Sequence, residues 1–286
     1  MRFFRGEKRN GENIRMQKDI KRVFDKGLDK PQSLGNRPFE KGYIENTLLD
    51  MEIVCSKTNK ILGRPWVTLL TDEYSKKAIA VNLSMDPPSH VSCLMVLREC
   101  IKKHSRLPET IVLDNEKEFY SEELKELCAI CNCTVLRKPK TICRHEVINL
   151  NTANFLYSLP RISLKEWKPN TVRYSLEDLC GILNQWFDDT CDGKKPTFDM
   201  TAKEIVYNGD FEILTCPRIK GGKRVAMPEK GVRVNNIFYS SHEFENQIAS
   251  RNKVEVKFDP QDIKIAYAKI HNKWIKLMPI KENQRT

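Results

Sequence analysis

The sequence predicts an α/β unit, a mixed sheet with flanking helices, followed by a small all-β barrel. Three observations lead to this fold class. Between residues 42 and 160, short apolar runs alternate with helical patterns, which is typical of a sheet covered by helices. Between residues 211 and 280, short runs of alternating polarity are separated by turn residues, which is typical of a small barrel. Hydrophobic residues make up 40% of the chain, enough for a buried core.

The α/β unit is predicted from its strand and helix patterns in turn. The run 66–71 is continuous and apolar, as in a buried strand, and Ser89 is a good N-cap for the helix that follows Pro87 and Pro88. Strands are predicted at 48–55, 66–71, 77–84, 110–114 and 134–136, and helices at 90–104, 121–131 and 145–157. This order, three strands and then helix, strand, helix, strand, helix, is the order of the ribonuclease H-like fold.

Four segments organise the chain in this interpretation. They are a basic linker over 1–41, the ribonuclease H-like core over 42–160, a connector over 161–210 with a helix at 175–188, and the barrel over 211–280. The barrel strands are predicted at 232–234, 237–239, 254–258 and 263–267. The glycine pair at 221–222 is interpreted as a basic turn at the barrel entrance, where Lys220, Lys223 and Arg224 are candidate contacts to a DNA backbone.

The charge of the chain predicts a polyanionic partner. Lys and Arg outnumber Asp and Glu by 49 to 38, which gives a net charge of +11 and a pI near 9.1. The excess lies at the two ends, since residues 1–41 carry 12 basic against 6 acidic residues and residues 213–286 carry 15 against 7. Nucleic acid is the commonest partner of such a charge pattern. The alternative is a soluble basic protein that has no such partner.

Membrane and disulfide-stabilised classes are disfavoured. No stretch approaches the roughly 18 apolar residues of a membrane span, and the start of the chain has no apolar signal core. We therefore expect an intracellular protein whose ten cysteines are reduced. Cys128 and Cys131 have the spacing of thiolate ligands, but they lie in an apolar helix end and are interpreted as small buried hydrophobes rather than zinc ligands.

Two stretches of the sequence resemble one family. The first consists of Leu62-Gly63-Arg64-Pro65-Trp66-Val67-Thr68, Thr71-Asp72-Glu73-Tyr74-Ser75-Lys76, Pro87-Pro88-Ser89 and Val112-Leu113-Asp114-Asn115-Glu116-Lys117-Glu118-Phe119. The second consists of Gly231-Val232, Ile237-Phe238-Tyr239 and Val254-Glu255-Val256-Lys257-Phe258-Asp259-Pro260-Gln261-Asp262. They resemble the integrase-type core and the C-terminal barrel of phage Mu-like DNA transposases. The two stretches lie in the order of that family and together span most of residues 40–280.

The resemblance implies a catalytic site of three carboxylates that hold two Mg²⁺ or Mn²⁺ ions. Such a pair of ions clamps the attacking and leaving oxygens of an in-line phosphoryl displacement, by which DNA strands are cut and joined. In this sequence the three slots fall on Glu45, which precedes the predicted first strand, on Asp114, at the end of a buried strand, and on Glu146. The same three residues are therefore the candidate catalytic residues and metal ligands.

Two of these slots depart from the family's pattern. Glu45 stands where the family has Asp, and a misplacement on the order of 1 Å can cost ~100-fold in rate; Asp50 is a partial alternative for this slot. Glu146 lacks the family's neighbouring Gly and Arg, and an ungapped count places His145 in its slot. Glu116 adds bulk and charge where the family has a Gly. We therefore expect a weak or inactive catalytic site.

The resemblance also implies partners and a location. It implies DNA, as transposon ends and target, a homo-multimer on that DNA, an ATPase-type accessory transposition protein, and a place in the bacterial cytoplasm beside the nucleoid. The expected function is DNA binding with metal-dependent strand cleavage and strand transfer. The alternative is a catalytically inactive DNA-binding or assembly subunit on the same fold.

Overall fold

The computed structural model describes residues 35–49, 51–113, 121–137, 174–190 and 204–280. These residues form a five-stranded mixed sheet with helices packed on both faces, a two-stranded hairpin and a closed six-stranded barrel. The predicted fold class, a mixed sheet with flanking helices and a separate all-β barrel, is therefore confirmed. No helix in these described ranges is long and apolar enough to cross a membrane.

The first unit, which we call the core, is built on a sheet with its first strand in the middle. Its strands in chain order are β1 (Lys41–Leu48), β2 (Ile53–Val54), β3 (Ile61–Gly63), β4 (Trp66–Asp72), β5 (Ala78–Ser84), β6 (Thr110–Leu113) and β7 (Thr134–Arg137). Strands β2 and β3 form the hairpin, and the other five form one sheet in the order β5-β4-β1-β6-β7. Strand β1 pairs antiparallel with β4 and parallel with β6. This order and these directions are those of the ribonuclease H-like fold.

The helices of this part are α1 (His90–His104), α2 (Glu122–Ile130), α3 (Leu176–Thr190) and α4 (Gly209–Thr215). Helix α1 starts at the predicted residue because two serines satisfy its first N–H groups. The Ser89 hydroxyl accepts from the Val91 N–H at 3.2 Å, and the Ser92 hydroxyl accepts from the Ser89 N–H at 3.1 Å. The end of α1 also agrees with the prediction.

The two faces of the sheet bury different sets of side chains. Helices α1 and α2 pack on one face, over Ile44 of β1 and Leu70 of β4. Helix α3 packs on the other face, where its Leu179 and Leu183 join Leu69 of β4 in a second apolar cluster. Successive residues of a strand point to opposite faces, so this division assigns every residue of β1 and β4 to one side.

The barrel closes on itself in the order β10-β13-β12-β11-β8-β9. Its strands are β8 (Arg218–Met227), β9 (Gly231–Val234), β10 (Ile237–Ser240), β11 (Asn252–Phe258), β12 (Ala266–Ile270) and β13 (Lys273–Pro279), with a single helical turn, α5 (His242–Glu245), after β10. Neighbouring strands are antiparallel, and apolar residues from all six strands form the barrel interior. Closure leaves no unpaired strand edge along this circuit.

Several predicted elements were wrong in position. The first strand was predicted at 48–55 but runs over Lys41–Leu48, because Leu49 is buried beneath α3 and not in the ladder of the sheet. The last predicted barrel strand, 263–267, begins instead at Ala266, and Ile263 lies 69% exposed in the preceding turn. Helix α4 and strands β8 and β13 were not predicted. The helix predicted at 145–157 lies outside the described residues.

Candidate catalytic strand and nucleic-acid interface

Glu45 lies within the central strand β1 and not before it, which corrects the sequence-based placement. It is half-buried and stands opposite Leu69 of β4, while Ile44 stands opposite Leu70. Ile44 and Leu70 belong to the cluster under α1, so Glu45 belongs to the other face, the one on which α3 packs with Leu69. The first candidate carboxylate is therefore carried by a strand that is held on both of its edges.

The strand that precedes Asp114 is the parallel neighbour of β1. Tyr43 is in register with Val112, and β6 ends at Leu113, one residue before Asp114. Asp114 and Glu146 lie outside the described residues, as do the alternatives Asp50 and His145 and the neighbouring Glu116. Within the described ranges no group of three His, Cys, Asp or Glu residues could hold a metal ion. The convergence of Glu45, Asp114 and Glu146 therefore stays a prediction.

Two buried acids at the end of β4 have structural roles. Asp72 accepts from the Phe39 N–H at 2.8 Å with one oxygen, and from the Ser75 N–H and hydroxyl at 2.8 and 2.7 Å with the other. Its neighbour Glu73 accepts from the Tyr43 hydroxyl at 2.8 Å. The Asp-x-x-Ser pattern noted in the sequence thus closes the turn between β4 and β5 and anchors the segment that leads into β1.

The three basic residues proposed to contact DNA lie together on β8, but they do not share one face. Lys220 and Lys223 are exposed. Arg224 is half-buried, and its guanidinium donates to the carbonyl oxygens of Lys220 and Lys223, both at 3.0 Å. Arg224 stands opposite Val254, a residue of the barrel interior, whereas Lys223 stands opposite Glu255. Gly221 and Gly222 lie within β8 and not in the turn that was predicted there, and Arg224 supports the backbone on either side of them from the interior side of the strand.

Sequence reasoning missed a further exposed lysine on this surface. Lys253 of β11 stands opposite Val225 of β8, two residues along from the Lys223–Glu255 pair, so Lys223 and Lys253 lie on the same outer face. The alternating pattern of residues 252–258 contained the signal, because Val254 and Val256 point inward and Lys253 must then point outward. We call Lys220, Lys223 and Lys253 the barrel lysines.

The cysteines of α2 belong to the apolar core. Cys128 and Cys131 are buried in the cluster that contains Leu124 and Leu127. Hydrogen bonding to Cys128, and then burial, raise the pKa of the Cys133 thiol well above its ordinary value. Cys128 and Cys131 thus pack as small apolar side chains, in agreement with the interpretation of this segment.

Two family models match the chain. The one described as TnsB C-terminal domain matches residues 43–107, and the one described as Mu transposase, C-terminal, matches residues 220–273. The two matches support a relationship of this chain to Mu-like transposases. The first match covers the segment from β1 to the end of α1, including Glu45, and the second covers most of the barrel, including the barrel lysines.

Individual relatives are distant. The transposase for transposon Tn552 of Staphylococcus aureus is 27% identical over 99 residues, which cover 32% of this chain and 20% of that protein. Our chain thus spans about one fifth of this curated relative.

Two solved structures are similar to this chain at low sequence identity. The HTLV-2 integrase catalytic core domain in complex with magnesium, in its trimeric form, gives a TM-score of 0.38 at 14% identity and covers 59% of this chain and 95% of its own. The simian T-cell lymphotropic virus intasome in complex with a PP2A regulatory subunit gives a TM-score of 0.40 at 12% identity and covers 87% of this chain and 79% of its own.

Proposed function

We propose that this protein binds DNA and cuts and joins DNA strands as a transposase, with the core supplying the carboxylates and the barrel holding the DNA. The observation that carries the proposal is the position of Glu45 on the central strand of a ribonuclease H-like sheet, beside the parallel strand that leads to Asp114. Reactive groups of such sheets gather where neighbouring parallel strands reach their carboxyl ends. Glu45 lies towards that end of β1, and Asp114 directly follows that end of β6.

Glu45, Asp114 and Glu146 are the groups that we propose to hold two divalent cations. Carboxylate oxygens are the ligands that Mg²⁺ and Mn²⁺ prefer, and the half-buried Glu45 fits such a role. When bound, the ions supply charge stabilisation for the attacking and leaving oxygens of the phosphoryl group. The contribution of the chain is rigidity, because β1 is hydrogen-bonded to β4 along its length and to β6 at its start.

Glu45 itself favours a second candidate function, a DNA-binding or assembly subunit that does not transfer strands. Glutamate carries one more methylene than the family's aspartate, so its carboxylate reaches further from the backbone. Strand β1 cannot shift to offset this extra length, because Glu45 is paired with Leu69 of the buried strand β4. A displacement on the order of 1 Å at a reacting centre can reduce a rate ~100-fold. In this candidate the barrel lysines keep their role and the carboxylates lose theirs.

Further partners follow from the resemblance to Mu-like transposases and are part of the proposal. They are transposon-end and target DNA, other copies of the chain assembled on that DNA, and an ATPase-type accessory protein. The barrel lysines favour the DNA partner, since exposed lysines neutralise phosphates without reading base sequence.

A strand-transfer assay on DNA bearing transposon ends tests the catalytic proposal. The wild type, Asp114→Asn, Glu146→Gln and Glu45→Asp are compared in Mg²⁺ and in Mn²⁺. The matched control is Asp86→Asn, an exposed carboxylate in the turn after β5. We expect activity in the wild type and in the control, and a loss of at least about 100-fold in Asp114→Asn and in Glu146→Gln, because loss of one ligand disturbs both ions.

Glu45→Asp separates the two candidates. If the site is active but weakened by the longer side chain, the shorter carboxylate raises the rate by about 10-fold or more. If neither the wild type nor any variant, including Glu45→Asp, forms product, the catalytic candidate is contradicted. Salt-sensitive retention on DNA in the same proteins would then support the assembly-subunit candidate. Absence of both activity and DNA retention contradicts both candidates.

A further inference from the structure

Arg98, on helix α1 of the core, is buried between the core and the barrel with 1% of its surface exposed. Its Nη1 donates to both carboxylate oxygens of Asp259 at 2.8 Å, and its Nε donates to the Thr215 hydroxyl at 2.7 Å. Its Nη2 donates to the Glu212 carbonyl oxygen and to the Cys216 sulfur, both at 3.2 Å. One side chain of the core therefore gathers groups from α4 and from the turn after β11.

The chemistry of this contact makes it specific in geometry. Burying a guanidinium costs several kcal/mol unless its donors find acceptors, and its planar fork requires those acceptors at set angles as well as distances. Burial lowers the pKa of Arg98, but the Cys216 sulfur and then the Asp259 carboxylate raise it above its ordinary value, so the side chain stays charged. Packing of apolar side chains alone would tolerate sliding between the two units, whereas this contact does not.

The acceptor side is equally constrained. Asp259 donates its N–H to the Ile265 carbonyl oxygen at 3.1 Å, and its Oδ1 also accepts from the Gln261 N–H at 2.9 Å. Gln261 then bonds back to α1, through Glu99 at 3.0 Å and Lys102 at 3.2 Å. The Asp259-Pro260-Gln261 stretch of the barrel motif is thus the part of the barrel that meets α1.

A second bridge between the units is weaker. Arg218 of β8 pairs with Glu123 of α2 at 3.4 Å, and the Arg218 side chain is 33% exposed. Exposed or half-exposed ion pairs contribute little to stability, whereas removing one partner of a buried pair is strongly destabilising because it leaves an uncompensated buried charge. The Arg98–Asp259 pair therefore dominates the polar contacts across this boundary.

We infer that Arg98 is a positioning residue that couples the core and the barrel into one unfolding unit, so that DNA held by the barrel keeps a fixed place relative to the β1 strand that carries Glu45. The coupling of the two units stands on the contacts of Arg98 alone. The placement of DNA rests, in addition, on the proposed function.

Two tryptophans allow each unit to be followed separately. Trp66 lies on β4 of the core and Trp274 on β13 of the barrel. In backgrounds where the other three tryptophans are replaced by Phe, fluorescence reports thermal unfolding of the core in one protein and of the barrel in the other. With native Arg98 we expect coincident curves, as for a single cooperative unit.

The test variants break the buried pair in different ways. Arg98→Met removes the guanidinium with all its donors. Asp259→Asn removes the negative charge but retains the Oδ1 acceptor for the Gln261 N–H. In each we expect the Trp66 and Trp274 midpoints to separate by at least about 5 °C. Arg98→Lys, which can reach Asp259 but cannot serve all the acceptors, should show a smaller separation. Asp259→Asn also keeps the test possible if Arg98→Met does not fold.

The control is Arg37→Met, which breaks a bidentate pair with Glu109 inside the core, where the Arg37 side chain is 32% exposed. Its two curves should stay coincident. Curves that already differ with native Arg98, or that stay coincident in both Arg98→Met and Asp259→Asn, would overturn the inference.

Adding a 30-base-pair duplex, a length of about three DNA turns, tests the DNA clause. A ligand stabilises the unit that binds it, so in the coupled protein the duplex should raise the Trp66 and Trp274 midpoints together. In Arg98→Met it should raise only the Trp274 midpoint. If the duplex raises neither midpoint with native Arg98, DNA binding fails, while the coincidence of the curves without DNA still decides the coupling.

Discussion

A single glycine decides how the barrel begins to close. Gly231 starts β9 with a φ of 69°, a region that L-residues other than Asn and Asp seldom adopt. A Cβ at this position would collide with the backbone carbonyl of Tyr239 in the neighbouring strand β10. The glycine noted in the sequence as part of the barrel motif is therefore required by both its conformation and the close approach of another backbone.

Gly231→Ala should destabilise the protein strongly, by about 3–5 kcal/mol, because strain and collision add. The matched control is Gly181→Ala in helix α3, where an added Cβ meets nothing within 4 Å. There alanine should stabilise by about 0.8–1 kcal/mol through helix propensity. Thermal unfolding of the two variants measures both effects, and equal midpoints for the two would contradict this account of Gly231.

At the scale of the element, the sequence predicted what local chemistry controls. The predicted bounds of α1 agree with the structure because Ser89 and Ser92 close its start through bonds between residues at most three apart. Strand β1 was misplaced because its register depends on β4 and β6, which are distant in the sequence. Its own pattern is only weakly apolar, and the apolar residues that follow it, such as Leu49, are buried by α3 instead.

Helix α2 provides a pH prediction. Burial raises the pKa of Glu123, but bonds from its own N–H, from the Ser121 hydroxyl and from Arg218 lower it below its ordinary value. A carboxyl with a lowered folded-state pKa contributes stability above its unfolded value of 4.5, and this stability is lost as the pH falls through the folded-state pKa. The ionised Glu123 thus stabilises the protein at neutral pH.

Glu123→Gln should cost up to about 1 kcal/mol at pH 7, because the amide keeps one acceptor oxygen but loses the charge that pairs with Arg218. Between about pH 5 and pH 3 its midpoint of unfolding should fall less than that of the wild type. Glu122→Gln, which changes a 78% exposed neighbour paired with Lys125, serves as control and should follow the wild type. If the midpoints of Glu123→Gln and of the wild type fall equally across this pH range, Glu123 is not the cause of the acid destabilisation.

At the scale of the whole molecule, the sequence predicted the fold class more securely than the arrangement of the side chains, and the slots of the candidate site stay a prediction. The face that Glu45 occupies follows from pairing with Leu69, and the neighbourhood of Lys223 and Lys253 follows from the pairing of β8 with β11. Both are contacts between distant residues, which patterns of adjacent residues do not encode. Arg224, grouped with the lysines from sequence, lies on the other face of its strand.

The barrel lysines predict a salt-dependent affinity for DNA. Removing two phosphate contacts in Lys223→Ala/Lys253→Ala should weaken duplex binding about equally for unrelated sequences and reduce the slope of log K against log salt by about 1.8. Lys57→Ala/Lys125→Ala removes the same charge from exposed residues of the core and should leave the slope unchanged. Titrations at several salt concentrations measure both slopes; an equal reduction in the two proteins would show a net-charge effect without a barrel site.

The distance in sequence between Arg98 and Asp259, 161 residues, has a consequence for synthesis on the ribosome. Arg98 leaves the ribosome long before Asp259, so its guanidinium lacks this acceptor until the barrel segment has been translated. Long-range contacts of this kind slow folding, and partly folded intermediates expose apolar surface until these contacts form. We therefore expect the core to complete its folding around Arg98 only after the barrel segment has been synthesised.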